Sequence, residues 1–450
     1  MQNSGINPAI FRAYDVRGIY GKDLTEDVTE KIGNAFANLF VKDTCVVGMD
    51  GRKSGPSLKE ALIKGILRAG KDVIDVGLVP RGVYLFLAWK LKKPSAYITA
   101  SHLDKEWNGV KFAHGNGIEL FEDENYKVRD FVLGRNFKTA PKSGKVVKEN
   151  PIEEYKKYII SKIGSVGKLR VVMDCGNGAA GIVAPDLFKT AGCDVKTIFG
   201  DVDGNFPNRP PDIDNSDLSR LMKESKQSDV GIVFDGDGDR MKLIDERGRI
   251  MDPEAASYLI LKQLVKEEKG PIIANVECLK IMDEVAEKFN RKIYRVRVGN
   301  SFMVQAVFEK NACFGVERSG HFCIPSIIPV DDAIAVSLYA VKALEKTGKK
   351  LSDIVDEIPL YPFQRMKIEC ADETKFKVIE NLKNRLSREY KKVNTLDGVR
   401  VDFDYGWALI RASNTSPMIR LSIEANNGEK LKYLGEKFMK ILKEEIEKFR

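Results

Sequence analysis

The feature that most limits what this chain can become is a repeated unit. An apolar strand runs into an Asp-opened turn at Cys45-Val46-Val47-Gly48-Met49 to Asp50-Gly51-Arg52, and again at Arg170-Val171-Val172-Met173 to Asp174-Cys175-Gly176. In both copies a helix follows and closes on an Ala-Gly pair, Ala69-Gly70 and Ala191-Gly192, so the two run in near-constant register. A third version reads Pro271-Ile272-Ile273-Ala274 into Asn275-Val276-Glu277. Each is followed by another strand, and strands separated by helices imply parallel βαβ units. Similarity at a domain-sized interval means duplicated domains, because solenoid repeats are much shorter.

The C-terminal part follows another pattern. A strand is expected over 366–370, a helix over 373–390, and Asp397-Gly398 signals a turn leading into short strands. The final helix carries Leu431, Leu434, Phe438, Leu442, Ile446 and Phe449 at three-and-four spacing, which makes one buried stripe. The fold class expected is therefore α/β: three related mixed α/β domains, 1–148, 149–252 and 253–360, followed by a fourth, α+β domain over 361–450. The breaks fall where Pro and polar residues interrupt the periodicity. At about 150 residues per domain, 450 residues accommodate this arrangement.

With 43% hydrophobic residues there is ample chain for a core in every domain, so any metal serves function rather than folding. No apolar stretch approaches the roughly 18 residues of a membrane span, and 1–10 lacks the pattern of a secretory signal. Seven scattered cysteines without C-x-x-C spacing favour a reducing, cytoplasmic setting. The net charge of +8 is interleaved with acid, which gives nucleic acid no basic stripe and leaves anionic small molecules as partners.

Four loops carry the candidate chemistry. Asp235-Gly236-Asp237-Gly238-Asp239-Arg240 puts three carboxylates on alternate residues between apolar runs, an oxygen-only site suited to a hard cation such as Mg²⁺. An EF-hand is excluded because Arg240 stands where that loop needs glycine and the flanks read as strands. Arg240 beside a cation makes sense if both hold an anion, with phosphate the obvious one. The second loop, Thr99-Ala100-Ser101-His102-Leu103-Asp104 onward to Asn108-Gly109 and Lys111, projects a hydroxyl directly after a strand. It lacks the G-x-S-x-G elbow of a serine hydrolase. The third, Phe314-Gly315-Val316-Glu317-Arg318-Ser319-Gly320-His321, groups acceptor, hydroxyl and imidazole, a set suited to sugar hydroxyls and proton movement. The fourth, Arg411-Ala412-Ser413-Asn414-Thr415-Ser416-Pro417-Met418-Ile419-Arg420, can surround a phosphate with charge-assisted hydrogen bonds. Near the start, Arg12, Asp15 and Arg17 add either further positive charge or a structural salt bridge. One chemical loop per domain implies a central cleft.

In order and spacing these motifs resemble the α-D-phosphohexomutase superfamily, closest to its phosphomannomutase/phosphoglucomutase branch, across essentially the whole chain. The resemblance implies four domains around a central cleft, the last TATA-binding-protein-like. It implies that Ser101 is the phosphoserine and that Asp235, Asp237 and Asp239, with an oxygen of the serine phosphate, hold Mg²⁺. Glu317, Arg318, Ser319, Gly320 and His321 map onto the sugar loop. Arg411, Ser413, Asn414, Thr415 and Arg420 map onto the phosphate loop. Lys111 and His321 occupy the acid/base positions, and Arg17 and Arg240 those that stabilise the moving phosphoryl group.

The activity implied interconverts hexose 1-phosphate and hexose 6-phosphate, of mannose or glucose, through hexose 1,6-bisphosphate. Phosphoglucosamine mutase is the alternative within the family, a phosphatase or a non-catalytic sugar-phosphate binder the alternatives outside it. Leu103-Asp104 departs from the family's usual Asn-Pro, which puts the conformation of the serine loop in question. The preferred hexose and the oligomeric state stay open.

Overall fold

The computed structural model describes residues 6–413 and 417–449. Nineteen strands are found among them. Those of the first part are β1 (Val16–Ile19), β2 (Thr44–Met49), β3 (Asp72–Leu78), β4 (Ser95–Ile98), β5 (Trp107–Ala113) and β6 (Val146–Lys148). The second part holds β7 (Arg170–Asp174), β8 (Asp194–Ile198), β9 (Val230–Phe234) and β10 (Met241–Ile244). The third holds β11 (Ile272–Asn275), β12 (Ile293–Val296), β13 (Phe314–Val316) and β14 (Phe322–Cys323). The last holds β15 (Phe363–Glu369), β16 (Val393–Asn394), β17 (Val399–Phe403), β18 (Gly406–Ala412) and β19 (Met418–Ala425).

The repeat seen in the sequence is a repeat of topology. Strand orders β3-β2-β4-β5, β8-β7-β9-β10 and β12-β11-β13-β14 are one pattern written three times. In each, the central strand is parallel to both neighbours and the last strand is antiparallel. The first sheet adds β1 and β6 at its edges. The Ala-Gly helix ends of the first two copies are left-handed closures, with φ of 76° at Gly70 and 110° at Gly192, a backbone that glycine adopts without a Cβ penalty. The fourth sheet is wholly antiparallel, in the order β15-β19-β18-β17-β16. Two helices, Asp372–Glu389 and Gly428–Glu447, pack on one of its faces, burying Leu434, Phe438, Leu442 and Ile446 of the expected stripe.

The core is distributed unevenly. One apolar cluster runs without interruption from Val46 through the second and third sheets. It is bridged by the helix Arg81–Leu91, whose Val83 to Ala88 run is buried all round. Phe86 meets Tyr155 edge-on at 5.7 Å, and the Tyr155 hydroxyl donates to Asp332 at 2.7 Å. An all-apolar helix is one with no solvent face, and here a helix of the first domain is enclosed by the second and third. The fourth domain has its own cluster and reaches the main one through Trp407, Leu409 and Phe363.

Candidate active site

Topology decides where the chemistry lies. The turn from third to fourth strand of the repeated unit is 99–106 in the first copy, 235–240 in the second and 317–321 in the third. These are the serine, aspartate and Glu-Arg-Ser-Gly-His loops. The same corner of each domain faces one centre.

Ser101 is held in a backbone state that a side-chain-bearing residue resists, φ 50°. The turn after β2 secures it. Arg52, fully buried, donates to Asp50 (3.1 Å) and to the carbonyls of Ser101 (2.8 Å), Leu103 (2.5 Å), Asp104 (2.7 Å) and Trp107 (3.0 Å), which engages all five guanidinium donors. Because Arg52 grips the backbone at 103 and 104, the unusual Leu-Asp pair leaves the loop anchored. Thr99 Oγ1 accepts from Ser101 N (2.8 Å) and lies 2.9 Å from Asp237 Oδ2.

Ser101 Oγ donates to Asp235 Oδ2 at 3.0 Å, which brings the first and second loops into contact. Gly236 permits the approach, since a Cβ there would stand 2.6 Å from the Ser101 carbonyl. Asp235 Oδ1 accepts the backbone N–H groups of Gly238, Asp239 and Arg240, so one carboxylate shapes the aspartate loop. Ligand oxygens of Asp235, Asp237 and Asp239 lie within 4.8 Å of one another, all buried. Among the described residues, Asp237 Oδ1 and both carboxylate oxygens of Asp239 are buried without a hydrogen bond. Burial and mutual repulsion raise the pKa of Asp235 and Asp237; burial pushes Asp239 the same way, but His321 and Arg81 outweigh it and lower that group. Three crowded hard-oxygen donors with open lone pairs fit a divalent cation. A second trio, Asp239, His321 and Asp331, fits less well because both imidazole nitrogens are engaged.

The third loop completes this wall. Glu317 Oε1 accepts from Asn275 (2.9 Å) and Gly299 N (2.7 Å), while Ser319 Oγ stands 3.3 Å from Oε2. Met241 N donates to Gly320 O at 3.0 Å, tying this loop to the strand after the aspartates. His321 Nδ1 lies 2.6 Å from Asp331 Oδ2, and Nε2 accepts from Arg240 Nε at 2.9 Å. Burial opposes the imidazolium, but Asp331 and Asp239 outweigh it and the His321 pKa is raised. Lys111 lies on β5, 3.3 Å from both oxygens of Glu119. Arg17 pairs with Asp15 (2.6 Å) and reaches the Ala100 carbonyl (3.4 Å), so it stands beside the serine loop. Arg12 does not join them; it faces Asp372 of the fourth domain at 3.9 Å. Arg318 directs its guanidinium at Glu254 (2.6 Å) and Asp252 (3.0 Å) and over the Phe363 ring, which suits it to bracing the loop and the domain junction.

The face of the fourth sheet turned from its helices meets the third domain through Ser422 and Glu424 and carries a basic row. Arg411 and Arg420 are direct cross-strand partners, and Lys367 is the next residue in the same row. Like charges directly opposite on adjacent strands repel. Burial and the neighbouring Arg411 push the Arg420 guanidinium down to about 10, and buried Arg411 Nε lacks a hydrogen-bond partner among the described residues. Asp397, 3.8 Å from Arg411, and Glu277 offset part of this charge, and a bound anion would offset the rest. Ser413 directly follows β18, its carbonyl accepting from Lys375 at 2.6 Å; Asn414 and Thr415 fall outside the described residues.

Sequence reasoning missed Arg52, Arg81, Glu119, Asp331 and Glu277. Each has at least one partner tens to hundreds of residues away, a carbonyl for Arg52 and a charged group for the others, and such long-range contacts leave no local signature.

The chain matches four family descriptions in sequence. "Phosphoglucomutase/phosphomannomutase, alpha/beta/alpha domain I" covers residues 8–138, domain II covers 152–248, domain III covers 252–361, and the C-terminal domain covers 366–441. The chain belongs to the phosphoglucomutase/phosphomannomutase family. Members similar to it include a phosphomannomutase/phosphoglucomutase of Pseudomonas putida, 34% identical over 96% of this chain and 94% of that one. A probable phosphoglucosamine mutase of Methanopyrus kandleri is 31% identical over 98% and 99%. The crystal structure of a phosphoglucomutase/phosphomannomutase family protein from Burkholderia thailandensis superposes with a TM-score of 0.89 at 30% identity, covering 98% of each chain. Like its family, the chain has three α/β/α domains and a C-terminal domain with an antiparallel sheet. Among the described residues, no helix is long and apolar enough to cross a membrane.

Proposed function

We propose that this chain is a phosphohexomutase that interconverts hexose 1-phosphate and hexose 6-phosphate, of mannose or glucose, with Ser101 as its phosphoserine and hexose 1,6-bisphosphate as intermediate and activator. The observation that carries the reading is the 3.0 Å hydrogen bond between the Ser101 hydroxyl and Asp235, which unites the two loops a phosphoserine enzyme needs in one place. Asp235, Asp237 and Asp239, with an oxygen of the serine phosphate, would hold Mg²⁺, which when bound supplies positive charge against the phosphoryl oxygens.

In the forward direction the free sugar hydroxyl attacks the Ser101 phosphorus, the Ser101 O–P bond breaks and the hydroxyl proton passes to a base. The bisphosphate then turns over in the cleft, and its other phosphate returns to Ser101. Little covalent work falls to the protein, so rate comes from alignment and from cations around the moving oxygens. Arg17, beside the Ala100 carbonyl, and Arg240 supply them. Lys111 and His321 serve as the proton-moving groups, one from each side of the centre. Glu317 and Ser319 read sugar hydroxyls. Arg411, Ser413, Asn414, Thr415 and Arg420 grip the phosphate that is not reacting.

Incubation with Mg²⁺ and labelled hexose 1,6-bisphosphate tests this: label on Ser101 supports a mutase, and its absence supports a binder. Release of inorganic phosphate in place of isomerised sugar identifies a phosphatase. A second reading, phosphoglucosamine mutase, is favoured by the Methanopyrus kandleri relative. Parallel assay of mannose, glucose and glucosamine 1-phosphates decides between them.

A further inference from the structure

The interior holds a cation, Arg81, that the reaction scheme above leaves unused. Arg81 opens the enclosed helix Arg81–Leu91 and its side chain is 2% exposed. Its Nε and Nη2 donate to Glu119 Oε1 at 3.2 and 2.6 Å. Its Nη1 stands 3.0 Å from both Asp239 Oδ2 and Asp331 Oδ2, and its backbone N donates to the Asp237 carbonyl at 3.0 Å. One guanidinium thus meets a carboxylate from each of the three α/β domains.

Each of those carboxylates also faces a proposed functional group. Glu119 faces Lys111, with Ser301 donating to it at 3.1 Å. Asp331 faces His321 Nδ1, with Asn300 donating to it at 3.2 Å. Asp239 belongs to the aspartate loop, and neither of its oxygens makes a hydrogen bond among the described residues. We propose that Arg81 is a positioning residue for the transfer reaction, fixing at once the carboxylates that orient Lys111, His321 and the aspartate loop.

The geometry requires arginine. A planar fork reaches three carboxylates in fixed directions, whereas a lysine ammonium is a point charge on a flexible stem. Groups that orient ligands of a metal from behind typically alter affinity about 10- to 100-fold when lost. Because the helix bearing Arg81 is packed between the second and third domains, the fork is set by the apolar core and not by the cleft. The proposal rests on the mutase reading for its catalytic consequence alone.

The test uses Arg81→Lys, which keeps the buried charge and removes the fork. Expected are a kcat lower by about 100-fold, a KM for hexose 1-phosphate within about threefold, and Mg²⁺ affinity measured by calorimetry weaker by about tenfold. A Tm that falls while kcat and Mg²⁺ affinity stay within twofold of the unaltered protein would assign Arg81 to structure alone. Should Arg81→Lys fail to fold, Glu119→Gln and Asp331→Asn, which each loosen one contact of the fork and keep Arg81, are measured singly and together. Shared positioning by Arg81 predicts kcat losses that are far from additive, and additive losses overturn it. An unaltered protein that neither labels at Ser101 nor isomerises sugar phosphate defeats the mutase reading, while the Mg²⁺ affinity of Arg81→Lys still decides the role of Arg81.

Discussion

The two walls of the proposed cleft are built by different means. The three α/β domains are joined by an apolar cluster that runs from the helix Arg81–Leu91 of the first into the second and third, beside the first domain's own cluster, and the buried charges Arg81, Glu119, Asp239 and Asp331 interlock where the three meet. The fourth domain joins that cluster through Trp407, Leu409 and Phe363 and docks otherwise through polar contacts. Glu277 accepts from Arg365 (3.0 Å) and Ser422 (2.5 Å), Glu424 accepts from Lys280 N (2.9 Å), and Arg400 donates to the Val276 carbonyl (2.6 Å). Apolar burial is lost if a gap opens, whereas polar contacts exchange with water at modest net cost. In the proposed mechanism the first wall is thereby suited to rigid alignment of the reacting groups, and the second to admitting a phosphate from either end of the sugar.

Changes in the first wall should strike turnover, and changes in the second should strike affinity. The largest effect is expected for Ser101→Ala, with turnover down by about a thousandfold or more and folding retained. Near-normal turnover would remove Ser101 from the scheme. Asp237→Asn should weaken Mg²⁺ activation by about 100-fold, read from turnover against Mg²⁺ concentration; an unshifted curve places the cation elsewhere. In the second wall, Arg420→Ala should raise KM by about 10- to 100-fold, the equivalent of one charge-assisted hydrogen bond at about 1.5–3 kcal/mol, with kcat little changed. A fall confined to kcat would erase the distinction between the walls.

Acid provides a subtler probe. Burial raises the Glu277 pKa, but Arg365, Arg411 and Ser422 prevail and hold it at about 2, below the usual range. A depressed carboxylate adds stability that is full above its unfolded pKa of roughly 4.3 and disappears as pH falls through 2. Docking of the fourth domain, followed by fluorescence of buried Trp407, should therefore loosen across that window. In Glu277→Gln the contribution to the pH dependence should vanish; an identical acid profile would mean that Glu277 does not hold the interface. The smallest effect belongs to Arg12→Ala, which breaks a 3.9 Å pair with an exposed partner, Asp372, at no more than about 1 kcal/mol.

The sequence made the repeat legible because its turns and glycines are local, and the four loops because their polar residues sit in runs. What it concealed was set by distance. Arg52 stood in plain view in the first turn, but its partners are carbonyls about fifty residues on, and a backbone acceptor has no sequence identity. The Val83 to Trp89 run was visibly apolar, yet only the structure reveals that another domain's helices enclose it. The Arg411–Arg420 pairing depends on strand register, which a hairpin sequence leaves unstated.

The threefold topology carries an evolutionary consequence. If an ancestor assembled from identical copies, it would already have presented three like corners to a shared interior. Divergence of five to eight residues per corner would then suffice to turn one generic corner into the proposed nucleophile, cation cup and carbohydrate reader, without inventing a new scaffold for any of them.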